Sequence, residues 1–327
     1  MSKKTKILLG SLMTLGTFAT AVSTTYAFVV LNDEVKVEEF NFNLETDAGL
    51  LISTDGINFS QDITASQIQN VISNNTGVAY NNAKYKGVTL SQTDGKINFD
   101  NNGYPLFVKD KLTELPSPIG DRYYDHGYQA AANNDYIMFD LYFQLTNQGS
   151  ITAPYSLSFM DITSIKSNGP IDYTLSNVMT TTTGTHASGD TITFDPVNAM
   201  RLGLKNHDTN KFTIYEPGIG LGSAAIEGST EDIHNKDKNA MYTYYNSAHP
   251  REPFLVAASD GEAFDTISSF TDNPIGEFVY DNTSHTYNII KITIAIWLEG
   301  WDADFFRGIP QDASIFDINL GFKLELI

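Results

Sequence analysis

The residues best suited to chemistry lie in one run, Trp297-Leu298-Glu299-Gly300-Trp301-Asp302-Ala303-Asp304. Trp297 and Trp301 are the only 2 tryptophans among 327 residues. Carboxylates gathered around a glycine can supply hard oxygen ligands, so Glu299, Asp302 and Asp304 form a candidate calcium site. Indole rings can stack on sugar faces, which makes Trp297 and Trp301 candidate ligand-stacking residues. The bland alternative is a tight strand end, with acids solvating a turn and indoles packed at the rim. Two further acidic stretches, Asn98–Gly103 and the Asp121/Asp125 pair, also offer oxygen ligands, but no complete EF-hand pattern occurs.

Other chemistries lack their residues. The 6 histidines stand at 126, 186, 207, 234, 249 and 285. None lies one helical turn from another, so no helix-borne zinc pair exists, and only a site assembled from distant histidines is left. There is no G-x-S-x-G elbow. Gly218, Gly220 and Gly222 alternate with apolar residues, but no lysine follows where a phosphate would need one. Paired carboxylates are so frequent among 39 acids that no single pair signals a glycosidase. With 0 cysteines, disulfides, thiolate metal sites and cysteine nucleophiles are excluded. The sequence predicts a non-enzyme with no required cofactor, calcium being the one ion it could use.

The first 27 residues read as an export signal. Lys3, Lys4 and Lys6 precede the apolar stretch Ile7–Val22, and Thr25-Tyr26-Ala27 puts small residues where a signal peptidase reads them. Cleavage is expected between Ala27 and Phe28, leaving no stable transmembrane anchor, because the apolar stretch is short and interrupted by Ser, Thr and Gly. Without those residues, 17 basic side chains face 39 acidic ones, a balance of −22. Such a surface repels nucleic acid and anionic lipid and keeps a secreted protein soluble. The chain is therefore expected to be secreted.

The elements that must position these residues are strands. In 136–146, Ile137, Phe139, Leu141, Phe143 and Leu145 alternate with polar or half-polar residues. The same period of two recurs in 289–299, through Ile290, Ile292, Ile294, Ile296 and Leu298, and in the last run through Ile318, Leu320, Phe322, Leu324 and Leu326. That spacing puts every second side chain on one face. Further strands are expected at 155–165, 171–178, 191–194, 198–204, 211–215 and 275–280. Phe40, Phe42 and Leu44 alternate before Asp47-Ala48-Gly49, which reads as a hairpin turn into Leu50 and Ile52, and Asp55-Gly56 as a second turn. Ile63, Ile68, Val71 and Ile72 fit one short helix within 61–75. Residues 28–327 thus read as a single all-β domain, an antiparallel jelly-roll-like β-sandwich with one apolar face per strand and at most a few short helices. Long loop elaborations are expected near 76–134, with short strand candidates around Gly87–Leu90 and Leu106–Val108, and near 216–250.

Several segments together resemble a known group. They are the signal ending Thr25–Phe28, LLISTDGINF at 50–59, YIMFDLYFQL at 136–145, NAMRLGL at 198–204 and ITIAIWLEGWDAD at 292–304. They look like the TasA and camelysin group of exported proteins of Gram-positive bacteria, closest to its alternate signal-mediated branch. That resemblance implies a jelly roll, export through a dedicated signal peptidase and, for the TasA branch, biofilm fibres. In those fibres an N-terminal segment completes the sheet of the next subunit; here the segment would be Phe28-Val29-Val30-Leu31. Where the group often has a cysteine after the second acid, this chain has Phe305. The metallopeptidase label of camelysin-type proteins finds no zinc motif here. The leading expectation is a cell-surface or extracellular-matrix protein whose partner is itself, as a homopolymer, or other surface proteins. The alternative is a secreted calcium- or carbohydrate-binding module; an extracellular metallopeptidase ranks third.

Overall fold

The computed structural model describes residues 36–44, 49–79, 85, 87–93, 96–115, 123–146, 152–161, 163–167, 169–175, 179–181, 184–215, 265–267, 274–299 and 315–327. Strand residues make up 55% of these. The export signal, Ala27, Phe28, Val29, Val30, Leu31 and the 216–250 elaboration lie outside the described residues.

Two sheets pack face to face. The larger runs Leu50–Ser53, Ile137–Leu145, Ile290–Glu299, Met200–Asn206, Phe212–Tyr215 and Asp265–Ile267. The smaller orders Lys36–Leu44, Ile315–Leu326, Tyr155–Phe159 and Pro274–Phe278, with Ser164–Ser167 also paired to Ile315–Leu326. Alternation carries the packing. Ile137, Phe139, Leu141, Phe143 and Leu145 are buried while the residues between them are half-buried. Phe143 of the larger sheet meets Phe322 of the smaller at 4.8 Å between ring centroids, and Phe159 lies 5.2 Å from Phe322 in its own sheet. These rings belong to one core with Ile290, Ile292, Ile294, Ile296, Ile318 and Leu320.

Helix Ala65–Thr76 closes one side of that core with Ile68 and Ile72. The sequence sets both its ends. Thr64 and Gln67 form a reciprocal capping box, and Gly77 takes a left-handed φ of 72° that an L side chain rarely adopts. The Asp55-Gly56 turn also forms, with Gly56 at φ 72° and the Asp55 carboxylate accepting from the amides of Ile57 and Asn58.

Three features depart from the sequence reading. The sheets are not purely antiparallel: Lys36–Leu44 runs parallel to Ile315–Leu326, with Phe40 opposite Ile318 and Phe42 opposite Leu320. It therefore forms no hairpin with Leu50–Ser53, which pairs with Ile137–Leu145 in the other sheet. The region 76–134 is more than loop. The short strand expected at Gly87–Leu90 forms and pairs in parallel with the end of Ile290–Glu299, and the one expected around 106–108 extends into a long hairpin of Phe107–Leu115 and Tyr123–Ala130 that the loop reading did not anticipate. Finally, the larger sheet is covered on both faces. A second cluster of Val88, Leu90, Ile97, Phe107, Tyr136, Phe212, Ile214, Ala295 and Trp297 packs on its outer face. Hence Ile290–Glu299 is buried at almost every position instead of every second one.

The outer layer is tight where Gly203 sits opposite Ala295. A Cβ on Gly203 would lie 2.6 Å from Phe212 Cζ and 3.0 Å from Trp297 Cζ3. Gly203→Ala is expected to lower the unfolding free energy by about 1–3 kcal/mol through overpacking. Urea unfolding followed by tryptophan fluorescence checks this; an unchanged midpoint would mean that the two rings give way freely.

Candidate functional site

The outer face of the larger sheet changes character along its length. Cross-strand register places Lys205, Thr293 and Asp140 in one row over three adjacent strands. The next row toward one end holds Lys291 opposite Tyr142, with the His207 amide donating to the Lys291 carbonyl at 3.1 Å. Toward the other end come Gly203, Ala295 and Met138, then Arg201 opposite Trp297. One half of the face is thus polar and titratable, and the other half belongs to the second core.

Above the polar half lies the 98–106 loop, closed by a bridge between Phe99 and Pro105. The Asp100 carboxylate holds its tip by accepting from the amides of Asn102 (2.8 Å) and Tyr104 (2.9 Å). Tyr104 reaches down to the sheet. Its hydroxyl donates to Asp140 Oδ2 at 2.7 Å and accepts from Lys291 Nζ at 2.8 Å. Lys291 Nζ also pairs with Asp140 Oδ2 at 3.0 Å. The second Asp140 oxygen accepts from Thr293 Oγ1 at 2.6 Å, and Thr293 Oγ1 is 2.8 Å from His207 Nε2. The rings of Tyr104 and His207 meet edge to face at 5.7 Å. Beside them, Lys205 Nζ hydrogen-bonds the carbonyl and side-chain oxygens of Asn210 and sits 4.2 Å from the centre of the Phe99 ring.

The electrostatics follow from burial and partners. Burial pushes the Tyr104 hydroxyl above its ordinary range, and its bond to Asp140 adds to this. Burial opposes the Lys291 charge, but its hydrogen bonds to Tyr104 and Asp140 outweigh that and hold the ammonium charged beyond the usual lysine range. Burial lowers Lys205, whose hydrogen-bond partner is the neutral Asn210. His207 is lowered by burial and then by Lys291. Thr293 is 1% exposed and its proton is committed to Asp140, so it presents no accessible nucleophile. What this arrangement does is fasten a loop to a sheet through charge-assisted bonds.

The residues singled out in the sequence fall elsewhere. Glu299 is buried, and its Oε2 accepts from Trp297 Nε1 at 3.0 Å. Trp297 is 1% exposed and packs against Phe107 at 5.2 Å. No ring face of Trp297 is therefore open to a ligand, which removes the stacking role expected for it. Its position is set by the second core, which the one-apolar-face reading did not anticipate. Arg201, opposite Trp297, is also buried, and its Nη1 donates to the Met200 carbonyl at 3.0 Å. Trp301, Asp302 and Asp304 lie outside the described residues, so the structure neither gathers nor separates the proposed calcium ligands. Among the described residues, no three His, Asp or Glu side chains stand close enough to hold a metal ion. No helix among the described residues is long and apolar enough to cross a membrane.

Sequence reasoning passed over Asp140, Thr293, Lys291, His207, Lys205 and Tyr104. Asp140, Thr293, Lys291 and Lys205 leave one signal, a charged or hydroxylated residue within a strand on the face opposite the apolar row, while Tyr104 lies in a loop and His207 just past a strand; only cross-strand register turns them into a cluster. No protein-family model, curated protein or solved structure matches the chain.

Proposed function

We propose that the chain is an exported structural protein of a bacterial surface or extracellular matrix, and that it assembles by lending its N-terminal segment to a neighbouring copy. The observation that carries this reading is the placement of the first described strand. Among the described residues, Lys36–Leu44 is the outermost strand of the smaller sheet, and its one strand partner is Ile315–Leu326. A strand held by a single ladder at a sheet margin can exchange between copies at low cost, because the same backbone bonds form in either arrangement. The four apolar residues Phe28-Val29-Val30-Leu31 lie only a few positions before it and supply an apolar sequence for pairing. The acidic balance keeps such a protein soluble before assembly. The likeness of its quoted segments to the TasA and camelysin group points the same way.

Electron microscopy of the purified chain beginning at Phe28 tests the reading. Filaments are expected, and they are expected to disappear when Phe28, Val29, Val30 and Leu31 are all replaced by serine. Single particles at every concentration would refute assembly, and filaments that survive the serine replacement would refute this route to it.

A further inference from the structure

We propose that His207 is the trigger of an acid-released latch that holds the 98–106 loop over the outer face of the larger sheet. The geometry fixes which ring nitrogen takes the second proton. Asp140 Oδ1, as a carboxylate oxygen, can only accept, so the single Thr293 hydroxyl proton points to it. Thr293 Oγ1 must then accept from His207, and the imidazole proton resides on Nε2. Acid therefore protonates Nδ1. That atom faces the tip of the loop, where a Cβ on Gly103 would stand 3.7 Å away. Gly103 itself is in a left-handed turn, with its amide committed to the Asp100 carbonyl.

The charges around the ring oppose that proton. From the neighbouring strands His207 faces Lys291 and Asp140, and from its own strand and turn Lys205 and Asp208. From the loop it faces Tyr104 and the turn built on Asp100. Asp140 already accepts from Tyr104, Lys291 and Thr293. Asp208 is exposed and 3.4 Å from the Asn288 amide. A charged imidazole would add a third cation beside two lysines, with Asp140 already taken up by three donors. Lifting the loop lets the ring meet water.

The sign of the linkage follows. In the closed form, burial and Lys291 keep His207 below its ordinary 6.5; in the open form it returns toward that value. The open form binds more protons, so acid favours it. In the window below 6.5 and above the closed-form value, the opening constant is expected to rise about tenfold for each pH unit, the slope for one proton. Opening would uncover Phe99, which packs on Phe212 at 5.9 Å, and with it an edge of the second core.

Hydrogen exchange of the amides in 98–106, expressed as protection factors corrected for intrinsic rates, tests the latch. As the pH is lowered from 7, protection is expected to stay level down to about 6.5 and to fall below it, at up to that slope, in the wild-type chain while the Ile137–Leu145 strand stays protected. In His207→Gln, whose amide can donate to Thr293 but cannot titrate, protection is expected to be flat. Wild-type protection that does not change with pH overturns the proposal, and so does an equal fall in both chains. If His207→Gln does not fold, ring nitrogen resonances of wild-type His207 decide: an Nδ1–H tautomer at neutral pH, or protonation without loss of loop protection, overturns it.

Discussion

Phe322→Ala is expected to lower the unfolding free energy by about 3–5 kcal/mol, the range for removing a large aromatic side chain from a packed core. Phe322 is fully buried and touches both sheets: Phe143 across the sandwich and Phe159 along its own sheet. Its neighbours sit on separate, extensively paired strands, so they cannot collapse into the vacated space without breaking register. Phe322 also stands opposite Leu44 in the parallel pairing that holds the first described strand. Its loss should therefore loosen that strand first. Chemical unfolding of the variant gives the magnitude. A cost below about 1 kcal/mol would mean that the interface between the sheets is loosely packed, contrary to the geometry described.

The second large effect belongs to Asp140. Asp140→Ala removes the acceptor for Thr293, Tyr104 and Lys291 in one step. The pair is not fully dry: the Asp140 and Lys291 side chains retain 18% and 25% exposure, so water recovers part of the loss. The expected cost is about 2–4 kcal/mol, less than for a wholly buried pair, because partners left without an acceptor retain some solvation. A double-mutant cycle with Lys291→Met should return a coupling energy well above that of a surface pair, about 1 kcal/mol or more. Additive single effects would show that the network is a crystal-like arrangement of independent contacts, with no clamp on the loop.

How much of this was legible beforehand depends on whether a feature has a local signature. The strands Ile137–Leu145, Ile290–Glu299 and Ile315–Leu326 announce themselves because their inward face carries an apolar residue at every second position, even though the outer face of Ile290–Glu299 is buried as well. The helix Ala65–Thr76 is legible within 61–75 from the spacing of Ile68, Val71 and Ile72, whereas its ends at Thr64, Gln67 and Gly77 come from the structure. Of the hairpin of Phe107–Leu115 and Tyr123–Ala130 only the start, around 106–108, is legible, because Lys109, Asp110, Lys111 and Glu114 break any apolar alternation while backbone pairing proceeds without it. The parallel ladder between Lys36–Leu44 and Ile315–Leu326 joins opposite ends of the chain, so no turn residue records it. The nearby Asp47-Ala48-Gly49 suggested a hairpin that does not form.

The polar site was illegible for the same reason. Asp140 and Thr293 are 153 positions apart, and Tyr104 and Lys291 are 187 apart. Each looks like an ordinary solvent-facing residue until register brings them together and the 98–106 loop covers them. Trp297 and Glu299 were noticed for their composition, yet composition could not reveal that a second apolar layer encloses them.

Sedimentation velocity on two forms of the chain, one beginning at Phe28 and one at Lys36, tests assembly through the N-terminal segment most directly. Concentration-dependent growth to large species is expected for the longer form, with the shorter form remaining a single slow boundary that retains β-rich circular dichroism. Identical monomeric boundaries for both forms would contradict it, as would equal growth of the form that lacks residues 28–35.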